Sequence, residues 1–182
     1  NHSSKHDMSL PKLPITSIDE QVHRTKGFDE SGCYGCSCSD ACCTYGCDVD
    51  HTARHTMIEY RPLLEKVLGR TLESCFEGQP ILDQDYPGGG YERSKVEDEM
   101  CVFHEPSGKG CILYRLSSQQ VIPAETIPAI CRLYPITWSN GCLTVSPHQE
   151  PTCNVYCKSN TTTRSLYESQ ETIIHDLVQI EG

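Results

Sequence analysis

Six cysteines, Cys33, Cys36, Cys38, Cys42, Cys43 and Cys47, fall within the sixteen residues G-C-Y-G-C-S-C-S-D-A-C-C-T-Y-G-C. Thiolates crowded this closely are held together by a bridging partner, either metal ions or other cysteines. The Cys33-x2-Cys36 step lets two sulfurs face one ion from a tight turn, as in zinc knuckles and iron–sulfur loops. Cys38 adds a third sulfur nearby. The adjacent pair Cys42 and Cys43 point in divergent directions and suit different ions or different edges of a cluster, and a disulfide between them would strain the peptide. Gly32, Gly35 and Gly46 let the backbone curl around something small. The stretch is a strong signal for metal and a weak one for which metal.

Further cysteines follow at spaced positions. In M-C-V-F-H-E-P-S-G-K-G-C-I-L-Y-R-L, the segments Cys101–Phe103 and Cys111–Tyr114 read as two short strands flanking a turn over Pro106–Gly110. Antiparallel pairing of such a hairpin sets Cys101 beside Cys111. Cys153-x3-Cys157 places two sulfurs one helical turn apart. His51 and His55 have ligand spacing on a helix, yet no H-E-x-x-H context accompanies them, and an exposed pair is the commoner outcome. Pro87-Gly88-Gly89-Gly90 reads as a flexible loop, since a phosphate cradle needs a flanking strand and helix and usually a lysine.

The elements that must position these residues are short. Residues 1–28 read as a mostly extended arm that packs on the domain. After the cysteine stretch, Asp50 is an N-cap, and Met57, Tyr60, Leu64, Val67 and Leu68 recur at helical spacing up to Gly69. Pro62 should kink or divide that helix near Tyr60–Arg61. Prolines at 123, 128 and 135 permit only short helical turns, and residues 136–145 read as a small hairpin around Ser139-Asn140-Gly141. Ser165-x-x-Glu168 is a capping box opening a terminal amphipathic helix with Leu166, Ile173, Leu177 and Ile180 on one stripe. Asn160-Thr161-Thr162 is formally a glycosylation sequon. The expected architecture is a small, loop-rich α+β domain stapled by metal, with short hairpins, a helix after the cysteine cluster and a C-terminal helix. Its expected parts are an arm over 1–28, a cysteine-cluster domain over 29–160 and a terminal helix within 161–182.

Composition supports a modest core. The 182 residues are 37% hydrophobic, with a mean hydropathy of −0.45, and metals or disulfides add most to stability in such chains. A net charge of −10 without a basic cluster argues against a nucleic-acid surface. No apolar run approaches a membrane span, so no membrane partner is expected. Thirteen cysteines is an odd number, which would leave one thiol over in a purely disulfide-bonded monomer. No basic n-region followed by an apolar stretch opens the chain, and a reducing cytoplasmic setting with metal-bound thiolates is the economical expectation.

Taken together, C-Y-G-C…C-C-T-Y-G-C-D-V, C-V-F, G-C-I-L-Y-R and I-C-R-L-Y-P-I resemble the cysteine-cluster proteins described as zinc- or iron-chelating, to which flagellin lysine N-methylase is related. Their pattern is C-x-x-C-x-x-C-C followed by C-x-F, C-x-I and C-R-x-Y-P elements, and the likeness covers roughly residues 30–157. It implies ligand roles for Cys33, Cys36, Cys42, Cys43, Cys101, Cys111 and Cys131. This chain departs from the pattern in the five residues, Cys38 among them, between Cys36 and Cys42. Cys38 and Cys47 are further candidates, as are Cys153 and Cys157 where relatives carry a late cysteine. Cys75 and Cys142 lie outside the pattern and read as small apolar residues. Arg132 is a candidate hydrogen-bond donor to sulfur or an ordinary surface arginine. Tyr134 and Trp138 read as packing over the site.

Eleven candidate thiolates exceed one tetrahedral site. The first expectation is a protein binding iron–sulfur clusters with an electron-transfer, redox or sensing role and an unidentified protein or redox partner. The alternative is a multi-zinc structural module for interaction. A disulfide-stapled secreted protein is the third. An enzyme like the methylase relatives finds no nucleotide fingerprint, no Ser/His/Asp or Cys/His signature and no paired carboxylates here, and no catalytic residue is assigned.

Overall fold

Asp50 does more than cap the helix that follows it. The computed structural model describes residues 12–27, 41–106, 108, 110–146 and 164–180. Within them the chain runs β1 (Leu13–Ile15), β2 (Ser17–Ile18), α1 (Glu20–Arg24), a 3-10 turn (Ala41–Tyr45), β3 (Asp48–Asp50), α2 (His51–Glu59), α3 (Arg61–Leu68), β4 (Phe76–Leu82) and β5 (Gly90–Ser94). It continues through β6 (Val96–Glu97), β7 (Met100–Cys101), α4 (Ile112–Ser118), α5 (Ala129–Leu133), β8 (Ile136–Ser139), β9 (Cys142–Val145), α6 (Leu166–Leu177) and β10 (Val178–Ile180). The result is a mixed α+β domain of short helices and small sheets. No helix among the described residues is long and apolar enough to cross a membrane.

The helix signals act as their chemistry dictates. Asp50 caps α2, its Oδ2 accepting the Ala53 N–H at 3.0 Å. Pro62 sits in the first turn of a new helix, so α2 ends at Glu59, Tyr60 is the cap between the two, and α3 begins at Arg61. Gly69 ends α3 at φ 71°, the left-handed conformation glycine takes without a steric penalty. Ser165 and Glu168 form the reciprocal capping box of α6.

Two apolar cores result. One gathers Val49, Met57, Leu64, Leu72, Phe76, Phe103, Leu113 and Ile127 between α2, α3, α4 and the β3–β5–β4 sheet. The other gathers Leu13, Ile15, Val22, Leu133, Ile136, Leu143, Leu166 and Ile174. In that second core β1 pairs in parallel with β10, and β2 in parallel with β9 of the β8–β9 hairpin. The N-terminal residues 12–27 thus contribute strands, a helix and core side chains rather than only an extended arm. The hairpin turns through Asn140 and Gly141, both at positive φ.

Three local expectations differ. Cys111–Tyr114 is not a strand: Ile112, Leu113 and Leu116 bury one face of α4, a helical spacing that a four-residue window hides. A single bridge, His104 with Cys111, remains of the expected hairpin. The glycine run is no flexible loop. It forms a tight turn, and Gly90 opens β5 where a Cβ would stand 2.2 Å from the Ile81 carbonyl and 2.6 Å from the His51 ring. Ile180 leaves the helical stripe, standing exposed in β10 after α6 ends at Leu177.

The second Asp50 oxygen joins the cores. Its Oδ1 accepts the Ala129 N–H at 2.8 Å, at the start of α5, where Pro128 offers no side-chain cap. A buried carboxylate that satisfies two helix N-termini is costly to remove. Asp50→Ala should lower the unfolding free energy by about 2–4 kcal/mol in urea titrations. Burial raises the Asp50 carboxyl above its ordinary 3.8, against the pull of the Ala129 and Ala53 amides. A carboxyl raised on folding makes its ionised form costly, and that cost is relieved as pH falls through the folded value towards 3.8. The stability gap between wild type and Asp50→Asn should therefore move in favour of wild type on acidification. A gap that stays flat down to about pH 4 would contradict a buried carboxylate here.

Candidate metal centre

Four sequence-distant segments bring thiols to one edge of the first core. The 3-10 turn over Ala41–Tyr45 carries Cys43 and touches β7. Gly46 then turns at φ 67°, where a Cβ would meet Val96 Cγ2 at 3.0 Å and the Ser94 carbonyl at 3.1 Å. That glycine lets Cys47 come down against the end of β5. The Cys47 N–H donates to Ser94 Oγ at 2.9 Å, and the Ser94 N–H donates to the Cys47 carbonyl at 2.9 Å.

Ser94 is fully buried and is the hinge of the arrangement. Its Oγ lies 3.5 Å from Cys47 Sγ and 3.3 Å from Cys101 Sγ. Cys101 reaches it from β7, where it pairs with Val96 of β6. The Lys95 N–H donates to the Cys75 carbonyl on the β4 side, and the Lys95 carbonyl accepts the Val102 N–H. Cys47 is thus tied to Ser94 and Cys101 to Val96, neighbours along one segment.

Cys131 arrives on α5, whose N-terminus Asp50 holds and whose Cys131 carbonyl accepts the Tyr114 hydroxyl at 3.0 Å. Cys111 stands at the start of α4, fixed by its bridge to His104 and by the Ile112 N–H donating to the Phe103 carbonyl at 2.8 Å. Cys43, Cys47, Cys111 and Cys131 all pack, partly buried, against the core that contains Cys75 and Cys101.

The thiols sense one another. Cys47 is within hydrogen-bonding reach of both Cys101 and Cys131. The Cys101 contact favours its thiolate, but the Cys131 contact, burial and the Cys131 charge outweigh it and hold the Cys47 thiol well above its ordinary range. Cys101 is raised strongly by its hydrogen bond with Cys47 and then by burial. Burial pushes Cys111 up to about 12, with Cys101 adding to the rise. Such thiols hold their protons near neutral pH unless a cation takes their place.

Of the eleven candidate ligands, the structure thus brings Cys47, Cys101 and Cys131 together, with Cys111 beside Cys101 and Cys43 against the same core. Cys42 lies in the 3-10 turn. Cys33, Cys36, Cys38, Cys153 and Cys157 lie outside the described residues. Cys47 is the common neighbour in this set. Among the described residues, no group of three or more His, Cys, Asp or Glu side chains is already disposed around one point as a metal would require.

The remaining candidates go elsewhere. Cys75 is fully buried, its thiol pushed up to about 11 by burial, in keeping with an apolar packing residue. Cys142 is half-buried on β9. His55 is exposed and pairs with Glu59 at 3.6 Å, and the His51 ring lies over Gly90. Arg132 is buried with its guanidinium 3.8 Å from Asp176, and its charge acts on Asp50. Trp138 packs in the second core, edge-on to Tyr86, and donates to the Asp85 carbonyl at 2.6 Å. It does not cover the thiols. Ser94 was not visible as a site residue, because its alternation within β5 carries no mark of a cysteine far back in the chain.

Cys75 offers a clean check on this packing. Since it touches the thiol cluster without being a candidate ligand, alkylation mapped by mass spectrometry should find it protected until denaturant unfolds the domain. Modification of Cys75 at the rate of an exposed thiol in native buffer would contradict its place in the core. Comparison of the chain with family models, with curated proteins and with solved structures finds no match.

Proposed function

We propose that this chain is a cysteine-ligated metalloprotein whose thiolates from Cys47, Cys101 and Cys131, with Cys111 next to them, hold a metal centre. The observation that supports it is that Cys47 and Cys101, from distant segments, meet at the buried Ser94, with Cys131 of a third segment acting on Cys47. An all-sulfur donor set suits zinc or iron–sulfur chemistry. The likeness to zinc- or iron-chelating cysteine-cluster proteins points the same way.

Two thiolates on one tetrahedral ion, at about 2.3 Å each, stand about 3.8 Å apart, on zinc and on a single iron of a [2Fe–2S] cluster alike. The zinc reading is a module whose folding the metal completes. The iron–sulfur reading, with its redox or sensing role and an unidentified partner, rests on the larger number of cysteines in the chain.

Elemental analysis with acid-labile sulfide on protein purified without oxygen separates these readings. Zinc without sulfide supports the module, and iron with matching sulfide supports the redox protein. Neither metal would sink both. Cys101→Ser and Cys131→Ser should lose metal and lower the Tm together, by about 10 °C or more if the centre contributes several kcal/mol. Cys75→Ala should keep its metal. Full metal content and an unchanged Tm in both serine variants would remove these two residues from the ligand set.

A further inference from the structure

We propose that Ser94 orients the thiolate centre and tunes its sulfur electrons, an assignment that rests on the metal centre proposed above. Three contacts carry it. Ser94 Oγ accepts the Cys47 N–H at 2.9 Å, lies 3.3 Å from Cys101 Sγ, and lies 3.5 Å from Cys47 Sγ. The residue has no exposure to solvent, so these neighbours decide where its proton points.

The hydroxyl has one proton to give. Beside neutral thiols it can donate to sulfur or accept from it. Metal binding turns the sulfurs into acceptors only, which makes the hydroxyl the donor. Cys101 and Cys47 both stand within reach of that proton. A neutral hydroxyl that changes role keeps the buried contact satisfied both with and without metal. A lysine or arginine here would bury a charge, and an alanine would leave the Cys47 N–H and one sulfur unmatched. Gly46 protects this place, since a Cβ on it would stand 3.2 Å from Ser94 Oγ.

A hydrogen bond to a thiolate lowers the energy of its lone pair. Sulfur-to-metal charge transfer then needs more energy. Ser94 is thus a positioning residue that leaves a spectroscopic mark, which a packing residue would not.

Cobalt(II) is the probe, titrated into the metal-stripped full chain of wild type, Ser94→Ala and Ser94→Thr. Wild type should show intense sulfur-to-cobalt charge-transfer absorption, and its absence would overturn the metal centre itself along with this assignment. With that band present, Ser94→Ala should bind cobalt about 10–100-fold more weakly, as loss of a partner behind a ligand does. Its charge-transfer band should move to lower energy, and Ser94→Thr, which keeps the hydroxyl, should restore the wild-type position. Weaker binding with an unmoved band would make Ser94 a packing residue and overturn the assignment. Should Ser94→Ala not fold, a displaced band in Ser94→Thr would overturn it equally.

Discussion

A single buried carboxylate ties this fold together. Asp50 closes β3, opens α2 with one oxygen and receives the first amide of α5 with the other. Cys47 lies on the strand side of that residue and Cys131 lies on α5. The same carboxylate that joins the two apolar cores therefore also sets the distance between two of the converging thiols. Desolvation works against such a group, and burial does raise its carboxyl. Two helix N-termini with their positive ends and the nearby Arg132 offset that cost. A metal centre assembled here inherits its geometry from the capping, so loss of the cap would loosen the thiols as well as the cores.

The thiols themselves stand between two roles. Cys75 and Cys101 are buried among Phe76, Phe103 and Leu113, where a protonated cysteine behaves as a small apolar residue. A cluster of protonated thiols is thus a tolerable piece of core. What distinguishes Cys47 and Cys101 from Cys75 is the buried hydroxyl they share, with Cys131 acting on Cys47, since apolar packing needs neither. Cys75 has the core and the proximity to Cys101 but neighbours of another kind: Arg70 and Arg54 act on its thiol, and its Sγ lies 3.8 Å from the Thr71 carbonyl.

Local chemistry was legible in the sequence to the extent that it is local. The Asp50 cap, the break at Pro62, the Gly69 stop, the Asn140-Gly141 turn and the Ser165–Glu168 box each rest on a few neighbouring residues, and each stands where the residues place it. The α+β class followed from the same cues. Helix α4 was hidden because Cys111–Tyr114 alone reads as a short apolar strand, and only Leu116 and the absence of a partner strand decide for helix. The second bond of Asp50, the Cys47–Ser94 contact and the parallel pairing of β1 with β10 join residues far apart in the chain, and nothing in either partner's neighbourhood names the other. Convergence of the cysteines could be expected from their chemistry, yet which of them meet is a property of the fold.

That division bears on what a metal would do here. Cys47, Cys101 and Cys131 sit on β3's approach, on β7 and on α5, separated by long stretches of chain whose closure costs entropy. Neither core is large, and the β6–β7 ladder that carries Cys101 is two residues long on each side. Such a ladder is marginal by itself. An ion bound by sulfurs from all three elements would act as a long-range cross-link where the sheet is weakest, and its binding free energy would count as folding free energy.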